Sequence, residues 1–226
     1  MSNVDNTADA TICVQRLRRL DCCAVSDALD RLKLTGVVSG LPQRSGKGKV
    51  AGRVITMKLG TGAPPPGPPR HLGCAAIELG SALDVIVVEQ RTGIEAGSWG
   101  GILTLGASLR GIAGVISDGL VRDIDEAIAY DFALFSRGVT ALTARGRVVE
   151  KGVNVPVAIG DVTVNAGDYV IADGSAVVFI AAADVAAVLD AAEAIVAKEA
   201  AMAKALLAGV PVSQVMGGNY ENMLRS

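Results

Sequence analysis

The sequence SWGGILTLGASLRGIAGVISDGLVRDID, residues 98–125, decides the fold of this chain. The run LDVIVVEQ at 83–90 precedes it, and a second apolar run at 113–117 lies inside it. Both runs contain β-branched residues, which is typical of strands buried on both faces. Two such strands, joined by about two dozen residues that contain a helix, predict a βαβ unit with parallel strands and a right-handed crossover.

Parallel strands end at the same edge of a sheet, and open α/β sheets usually bind their ligands at this edge. The turn Gly100-Gly101 precedes a helix that begins near Ile102, and the turn Arg122-Asp123 follows the second strand. We therefore expect the two turns to lie side by side and to form a site.

The composition restricts the class of protein. Of the 226 residues, 50% are apolar but only 3% are aromatic, so we expect a core of Ala, Val, Leu and Ile. The length suits one domain over residues 1–226. The net charge is -2, and no basic cluster is interleaved with aromatic residues, which argues against nucleic-acid binding. The four cysteines lack the spacing of a zinc site, and we expect free thiols.

The sequence contains no signal for a membrane or for export. No apolar run reaches about 18 residues without a charge, and the N-terminus lacks the basic and apolar regions of a signal peptide. We therefore expect a cytoplasmic protein that does not enter a membrane.

Segments on either side of the βαβ unit add both helices and strands. Apolar stripes over 9–33 predict two helices, with Asp21 as the N-cap of the second. Residues 36–49 are predicted to form a loop. After the βαβ unit we expect a helix over 126–134 and a strand over 139–151.

The C-terminal half predicts an antiparallel β layer followed by a long helix. Four short β runs lie between 155 and 180, with turn residues between them. Residues 182–207 are rich in alanine and predict a helix whose small side chains suit packing against a neighbouring subunit. The expected fold class is therefore α/β, with a parallel βαβ portion and an antiparallel β layer.

A proline-rich loop over 61–70 precedes the only histidine of the chain, His71. It contains five of the eight prolines, which excludes a helix or a central strand. Two interpretations remain open. The Pro64–Pro69 loop is either a surface connection or a rim that presents Arg70 and His71 at the mouth of a site.

The residues of the two turns suit a small anion and a metal. Backbone N–H groups at the start of a helix attract a carboxylate, and glycines let it approach. Arg122 offers a planar fork for a 2-oxo acid, and Asp123 offers an oxygen ligand for Mg²⁺. Nearby alternatives for metal binding or charge balance are Asp118, Asp125 and Glu126. Taken alone, these features also fit an ordinary turn and a solvated ion pair.

Three segments carry a resemblance to a known family. They are WGGILTLGASLRGIAGVISDGLVRD, RGVTALTARGRVVE and VPVAIGDVTVNAGDYVIADGSAVVFI. In this combination the chain resembles the RraA-like family over roughly residues 21–207. That family contains the class II 4-hydroxy-4-methyl-2-oxoglutarate and 4-carboxy-4-hydroxy-2-oxoadipate aldolases. The resemblance implies a compact α/β/β sandwich of the swivelling-domain type, and a homotrimer or homohexamer with active sites between subunits.

The resemblance also implies roles for individual residues. Asp123 corresponds to the ligand of Mg²⁺ or Mn²⁺, and Arg122 to the arginine that orients the 2-oxo acid. The substrate-binding set that it implies is Gly100, Gly101, Ile102, Leu103 and Arg122. Glu199 corresponds to a catalytic glutamate lent by a neighbouring subunit. Gly101 is a departure, because many members carry an acidic residue at this position.

The function that follows from the resemblance is that of a divalent-metal-dependent pyruvate aldolase. Such an enzyme cleaves a 4-hydroxy-2-oxo di- or tricarboxylic acid to pyruvate and a second oxo acid, and the same site could decarboxylate oxaloacetate. One alternative is a regulator without catalysis that binds ribonuclease E or another protein. Those members lack the long C-terminal helix, so residues 182–207 favour the enzyme. A second alternative is a family lyase with a different substrate.

Overall fold

The computed structural model describes residues 3–68 and 70–217, with the backbone alone for 3–8. The helices are α1 (Asn3–Leu17), α2 (Cys22–Leu32), α3 (Cys74–Leu79), α4 (Gly101–Leu109), α5 (Ile124–Ala129), α6 (Val185–Leu207) and α7 (Val212–Val215). The strands are β1 (Val37–Val38), β2 (Gln43–Ser45), β3 (Val50–Gly60), β4 (Asp84–Glu89), β5 (Gly114–Val121), β6 (Leu134–Val139), β7 (Val149–Val153), β8 (Val157–Ile159), β9 (Val162–Val164), β10 (Tyr169–Ala172) and β11 (Val177–Ile180).

Most strands belong to one mixed sheet. Its order is β1-β11-β10-β3-β4-β5-β6-β2, and β7 pairs with β3 outside this path. The four central strands β3 to β6 are parallel, and the outer strands run antiparallel to their neighbours. The predicted parallel pair of β4 and β5 is confirmed, with Val85 opposite Gly114 and Glu89 opposite Asp118. The predicted α/β fold class, mixed in strand direction, is confirmed as well.

The two faces of the sheet have different covers. On one face, Ile55, Ile86 and Val115 pack with residues of the helices α3, α4 and α5. On the same face, α1, α2 and α6 cover β10 and β11. On the other face, Val85 and Val87 pack with the separate hairpin of β8 and β9. The order is therefore helices, sheet and hairpin, as expected for an α/β/β sandwich.

The helix boundaries follow from local chemistry. Asp21 caps α2, because its side chain accepts a hydrogen bond from the backbone N–H of Ala24. Helix α6 buries Val185, Val188, Leu189, Ala192 and Ile195, whose spacing gives a single apolar stripe. The stripe ends halfway along the helix, so the second half of α6 has no comparable cover within the described chain. No helix in the described ranges is both long and apolar enough to cross a membrane.

Three predicted boundaries were wrong. The predicted helix over 126–134 ends at Ala129, because Asp131 turns the backbone into the left-handed region and Leu134 begins the buried strand β6. The predicted strand over 139–151 is mostly a loop, and only its end belongs to β7. The predicted loop over 36–49 contains the short strands β1 and β2. The four cysteines are free thiols, as expected.

Asp118, on β5, holds the β8-β9 hairpin against the sheet. Its buried carboxylate accepts hydrogen bonds from the backbone N–H of Gly160, at 2.8 Å, and from Nε of Arg137, at 2.5 Å. Glu89 acts in the same way on β4, where it accepts a bond from the N–H of Ala158. Two carboxylates from neighbouring strands therefore fix one hairpin.

We predict that Asp118→Ala lowers the free energy of unfolding by about 2 kcal/mol, because it leaves Nε of Arg137 and the backbone N–H of Gly160 without their acceptor. Urea denaturation measures this value. The control is Asp161→Ala, which removes an exposed carboxylate from the turn of the same hairpin. Equal stability of the two variants would show that Asp118 does not anchor the hairpin.

Candidate active site

A cavity of about 210 Å³ lies at the edge of the sheet where β5 ends and α4 begins. Its walls are formed by residues 71–72, 97, 99–103, 122–123 and 143–145. The cavity is smaller than the lower limit of roughly 300 Å³ for sites of drug-sized ligands, so it suits a small acid. The structure thus brings together Asp123 and the whole predicted substrate-binding set.

Asp123 joins the two turns. Its Oδ2 accepts a hydrogen bond of 2.9 Å from the backbone N–H of Gly101. Nε of Arg122 lies 3.3 Å from each carboxylate oxygen of Asp123. The backbone N–H of Arg122 donates to the carbonyl of Trp99, which adds a second link between the turns. The side chains of Arg122 and Asp123 remain about one-third exposed, at 33% and 32%, and face the cavity.

Asp123 itself has an uncommon backbone conformation. Its φ of 58° and ψ of 43° lie in the left-handed region, which side chains other than glycine seldom adopt. It occupies the N-cap position of α5 but forms no capping bond there, because its carboxylate is turned toward α4. Local strain of this kind is typical of functional sites.

Two glycines make room for Arg122 and Asp123. A Cβ atom at Gly97 would lie 2.9 Å from Cγ and Cδ of Arg122. A Cβ atom at Gly100 would lie 2.8 Å from Oδ2 of Asp123. Contacts this short essentially never occur in folded proteins, so any larger residue would force the side chains of Arg122 and Asp123 to move.

Gly101 makes room for a carboxylate that the sequence analysis named only as an alternative. A Cβ atom at position 101 would lie 1.9 Å from Oε2 of Glu126. The carboxylate of Glu126 thus occupies the space beside the backbone where many relatives are expected to carry an acidic side chain. The available signal was the spacing, because Glu126 follows Asp123 by three residues, about one helical turn.

The start of α4 offers open backbone donors. Gly100 has an extended backbone and provides no side-chain cap. The N–H groups of Ile102 and Leu103 have no acceptor among the residues that the structure describes. Unpaired N–H groups and the helix dipole together favour an anion at this position.

The buried pair of Trp99 and Thr104, which no sequence pattern predicted, holds the turn from the interior. Nε1 of Trp99 donates to Oγ1 of Thr104 at 3.1 Å, and this hydroxyl donates to the carbonyl of Gly100 at 3.0 Å. Both side chains are almost fully buried. The chain from Trp99 through Thr104 therefore fixes the direction of the Gly100 peptide. No sequence signal marks this pair, because an isolated threonine in a helix has many possible roles.

The remaining predicted residues have different positions. Glu199 is exposed on the second half of α6 and does not line the cavity of its own chain. Asp118 is buried in its pair with Arg137 and points to the hairpin rather than to the cavity. Asp125 is exposed on α5.

The residue that follows the proline-rich loop lines the site. His71 lines the cavity, whereas Arg70 lies 3.8 Å from Glu78 on the surface. The structure thus favours the rim interpretation for His71. Pro69, a member of the Pro64–Pro69 loop, lies outside the described residues.

The donors at the cavity fit magnesium better than zinc. Within 3–68 and 70–217 there is no group of three or more His, Cys, Asp or Glu side chains suited to a metal. Mg²⁺ needs no such group, because one or two carboxylates suffice when water and substrate oxygens complete its shell. The partly exposed carboxylate of Asp123, with that of Glu126 nearby, meets this requirement.

Comparison with protein families gives one match, which covers the whole site. The model of the RraA-like family, described as Aldolase/RraA, matches residues 22–179. All segments that line the cavity lie within this range.

Two curated proteins show related sequences. The chain is 28% identical over 167 residues to a candidate 4-hydroxy-4-methyl-2-oxoglutarate aldolase from Halalkalibacterium halodurans, covering 74% of this chain and 75% of that protein. It is 27% identical over 173 residues to protein DlpA of Legionella pneumophila subsp. pneumophila. This second match covers 74% of the chain but 27% of DlpA, so the chain spans little more than a quarter of that relative.

Solved structures show the same fold. An uncharacterized protein from Pseudomonas syringae pv. tomato str. DC3000 has a TM-score of 0.81 and 29% identity, covering 92% of this chain and 98% of that chain. Streptomyces coelicolor RraAS2, described as an unusual member of the RNase ES inhibitor RraA protein family, has a TM-score of 0.69 and 24% identity, covering 79% and 90%. At this identity the second likeness shows the fold alone.

We predict that Thr104→Val lowers the free energy of unfolding by about 1–3 kcal/mol, because the buried Nε1 of Trp99 loses its acceptor. Trp99 is the only tryptophan of the chain, so its fluorescence emission reports on this pair directly. Thr104→Ser keeps the hydroxyl and serves as the control. An unchanged emission spectrum and unchanged stability in Thr104→Val would contradict the role of the pair.

Proposed function

The chain belongs to the RraA-like family, and from this premise we propose that it is a divalent-metal-dependent aldolase. Its substrate is a 4-hydroxy-2-oxo di- or tricarboxylic acid, which it cleaves to pyruvate and a second oxo acid. The observation that carries the proposal is the convergence of Arg122, Asp123 and the open N–H groups of α4 on one small cavity. The similarity to a candidate aldolase supports the same reaction class.

The substrate is bound first through its 2-oxo acid end. The N–H groups of Ile102 and Leu103 donate to the carboxylate, and the dipole of α4 adds to this attraction. The guanidinium of Arg122 faces the same cavity and directs its remaining N–H groups to the 2-oxo oxygen. Negative charge grows on this oxygen during cleavage, so the contact strengthens in the transition state.

The metal site is assigned to Asp123, with Glu126 beside it. When bound, Mg²⁺ or Mn²⁺ supplies Lewis-acid polarisation of the 2-oxo group. Asp123 is held for this role by Gly101 and Arg122, which both bond its carboxylate. A carboxylate fixed on two sides does not need to rearrange when substrate arrives.

Proton transfer is assigned to Glu126. Its exposed carboxylate lies beside the backbone of Gly101, which lines the cavity, and from there it accepts the proton of the C4 hydroxyl through one water molecule. The C3–C4 bond then breaks, and the C4 oxygen becomes the carbonyl of the second oxo acid. The electron pair passes to C3 and the 2-oxo group, and protonation at C3 completes pyruvate. Oxaloacetate would lose CO₂ by the same electron flow, with its carboxylate in place of the C4 carbinol.

A neighbouring subunit completes the proposed site. Helix α6 has 23 residues, and its buried stripe ends at Ile195. Glu199 lies on the exposed half that follows, beyond reach of its own cavity lining. We assign this half to contact with a second copy in a trimer or a pair of trimers, where Glu199 enters the neighbouring site.

We predict that Asp123→Asn abolishes metal-dependent pyruvate release and that Arg122→Ala lowers its rate by about 10²–10³-fold. A lactate dehydrogenase assay with 4-hydroxy-4-methyl-2-oxoglutarate or oxaloacetate, with Mg²⁺ and then with EDTA, measures both. Calorimetric titration with Mg²⁺ should show loss of binding in Asp123→Asn but not in Arg122→Ala.

The matched control is Asp125→Asn, which removes an exposed carboxylate two residues away and should leave the rate unchanged. If the wild-type protein released no pyruvate from any such acid, the proposed aldolase activity would be wrong. If that inactive protein also bound an RNA-degradation enzyme in a pull-down, the alternative function of a non-catalytic regulator would be favoured instead.

We predict further that Gly101→Ala lowers the rate about as much as Glu126→Gln, near 10²-fold, because its Cβ displaces the Glu126 carboxylate. The double variant should lose little more than either single variant, since both remove the same group. Gly101→Asp in the Glu126→Ala background, where the side chain that the new Cβ would meet has been removed, should recover part of the rate.

Gly106→Ala is the control for a new methyl group in α4, because its Cβ would meet only Ile77, at an ordinary 3.7 Å. Additive losses in the double variant would show that Gly101 and Glu126 act independently.

A further inference from the structure

The cavity contains a second cation besides Arg122. Arg145 lines the same cavity from the loop between β6 and β7. Its guanidinium forms no hydrogen bond or ion pair with any residue of the described chain, whereas Arg122 is paired with Asp123. Arg145 is thus a cationic group at the site whose charge is not matched within the described part of the chain.

The backbone that carries Arg145 is nevertheless fixed to the site. The carbonyl of Leu142 accepts a 2.8 Å bond from the N–H of Gly97, which lies in the opposite segment of the cavity wall. Ala144 is buried in the main core, and Nη1 of Arg147 donates to the carbonyl of Thr143. Arg145 is itself exposed, so its guanidinium lines the cavity from an anchored loop and is open to a charged ligand.

His71 lines the same cavity, and its Nε2 atom has no hydrogen-bond partner in the described part of the chain. Its Nδ1 lies 2.8 Å from the carbonyl of Leu72, and because a carbonyl only accepts, Nδ1 carries a proton. Nε2 has no partner among the described residues. The turn that follows is tied to β7, since the N–H of Gly73 donates to Oε2 of Glu150 at 2.8 Å.

The charges of the proposed substrate match these groups. One carboxylate of the 2-oxo acid is bound at the N–H groups of α4, and Arg122 is shared between Asp123 and the 2-oxo oxygen. A substrate with a single carboxylate would leave Arg145 without a charged partner at the cavity. A second carboxylate at the far end of the substrate would pair with it.

Resting on the proposed function, we propose that Arg145, assisted by His71, binds the carboxylate carried by C4 of the substrate. These two residues then determine specificity, since they select 2-oxo acids that end in a second carboxylate. Arg145 pairs with the carboxylate through its planar fork, and Nε2 of His71 adds one hydrogen bond when it is protonated.

Binding tests this assignment without any requirement for catalysis. The probes are 2-oxoglutarate and 2-oxopentanoate, which share the 2-oxo acid end and differ in the terminal carboxylate. Neither contains the 4-hydroxyl group, so neither is cleaved. Calorimetry with Mg²⁺ present should show that the wild-type protein binds 2-oxoglutarate at least tenfold more tightly.

Arg145→Gln should weaken the binding of 2-oxoglutarate by about tenfold and leave the affinity for 2-oxopentanoate unchanged. Arg145→Lys should recover part of the lost affinity. His71→Ala should produce a smaller loss in the same direction. Arg19→Gln removes the same charge from an exposed position outside the cavity lining, and it should preserve the preference.

Equal affinity of the wild-type protein for both probes, or equal weakening of both by Arg145→Gln, would overturn the assignment. The protein could also prefer 2-oxoglutarate through Arg145 and yet release no pyruvate. This result would support the carboxylate-binding role of Arg145 and contradict the proposed aldolase activity. In an active protein, the KM for 4-hydroxy-2-oxoglutarate should rise in Arg145→Gln, while that for 4-hydroxy-2-oxopentanoate stays constant.

Discussion

The hydrogen bond from the N–H of Gly101 to the carboxylate of Asp123 is the contact on which the site depends. It joins the first residue of α4 to the residue that precedes α5, so two helices begin from one point at the edge of the sheet. It also holds Asp123 in the left-handed region, because the carboxylate would face away from α4 in an ordinary N-cap geometry. Without this bond, the open N–H groups and the carboxylate of Asp123 would not share a cavity.

The bond in turn requires close approach of two backbone segments. The parallel register of β4 and β5 brings the two turns together, and the missing side chains at Gly97 and Gly100 remove the steric barrier. Trp99 and Thr104 then fix the peptide of Gly100 from the interior. A polar site at the surface is thus positioned by a buried hydrogen bond and by the absence of side chains, not by a dense network of ion pairs.

The sequence predicted the βαβ unit and its edge well, because strand burial and glycine turns are local patterns and parallel strands allow one arrangement of their ends. It failed over 126–151, where apolar residues of α5 and β6 follow each other without a strong break and packing alone decides which are helical. The place of Arg145 at the cavity was missed, and Glu126 was named only as an alternative, because the position of each depends on contacts between segments far apart in sequence. Glu199 stays a prediction, since one chain does not bring it to the cavity.

A carboxylate on Glu126 of α5 has a physical advantage over a carboxylate at position 101 of α4. A carboxylate at position 101 would lie in the first turn of α4 and would compete with the substrate for the open N–H groups of that helix. Glu126 reaches the same space from α5, so it supplies a carboxylate while the N–H groups of Ile102 and Leu103 stay free. In the proposed reaction, anion binding and proton transfer would then fall to different helices. Gly101 stands where the resemblance led us to expect an acidic side chain. Its lack of a side chain leaves the space that Glu126 occupies.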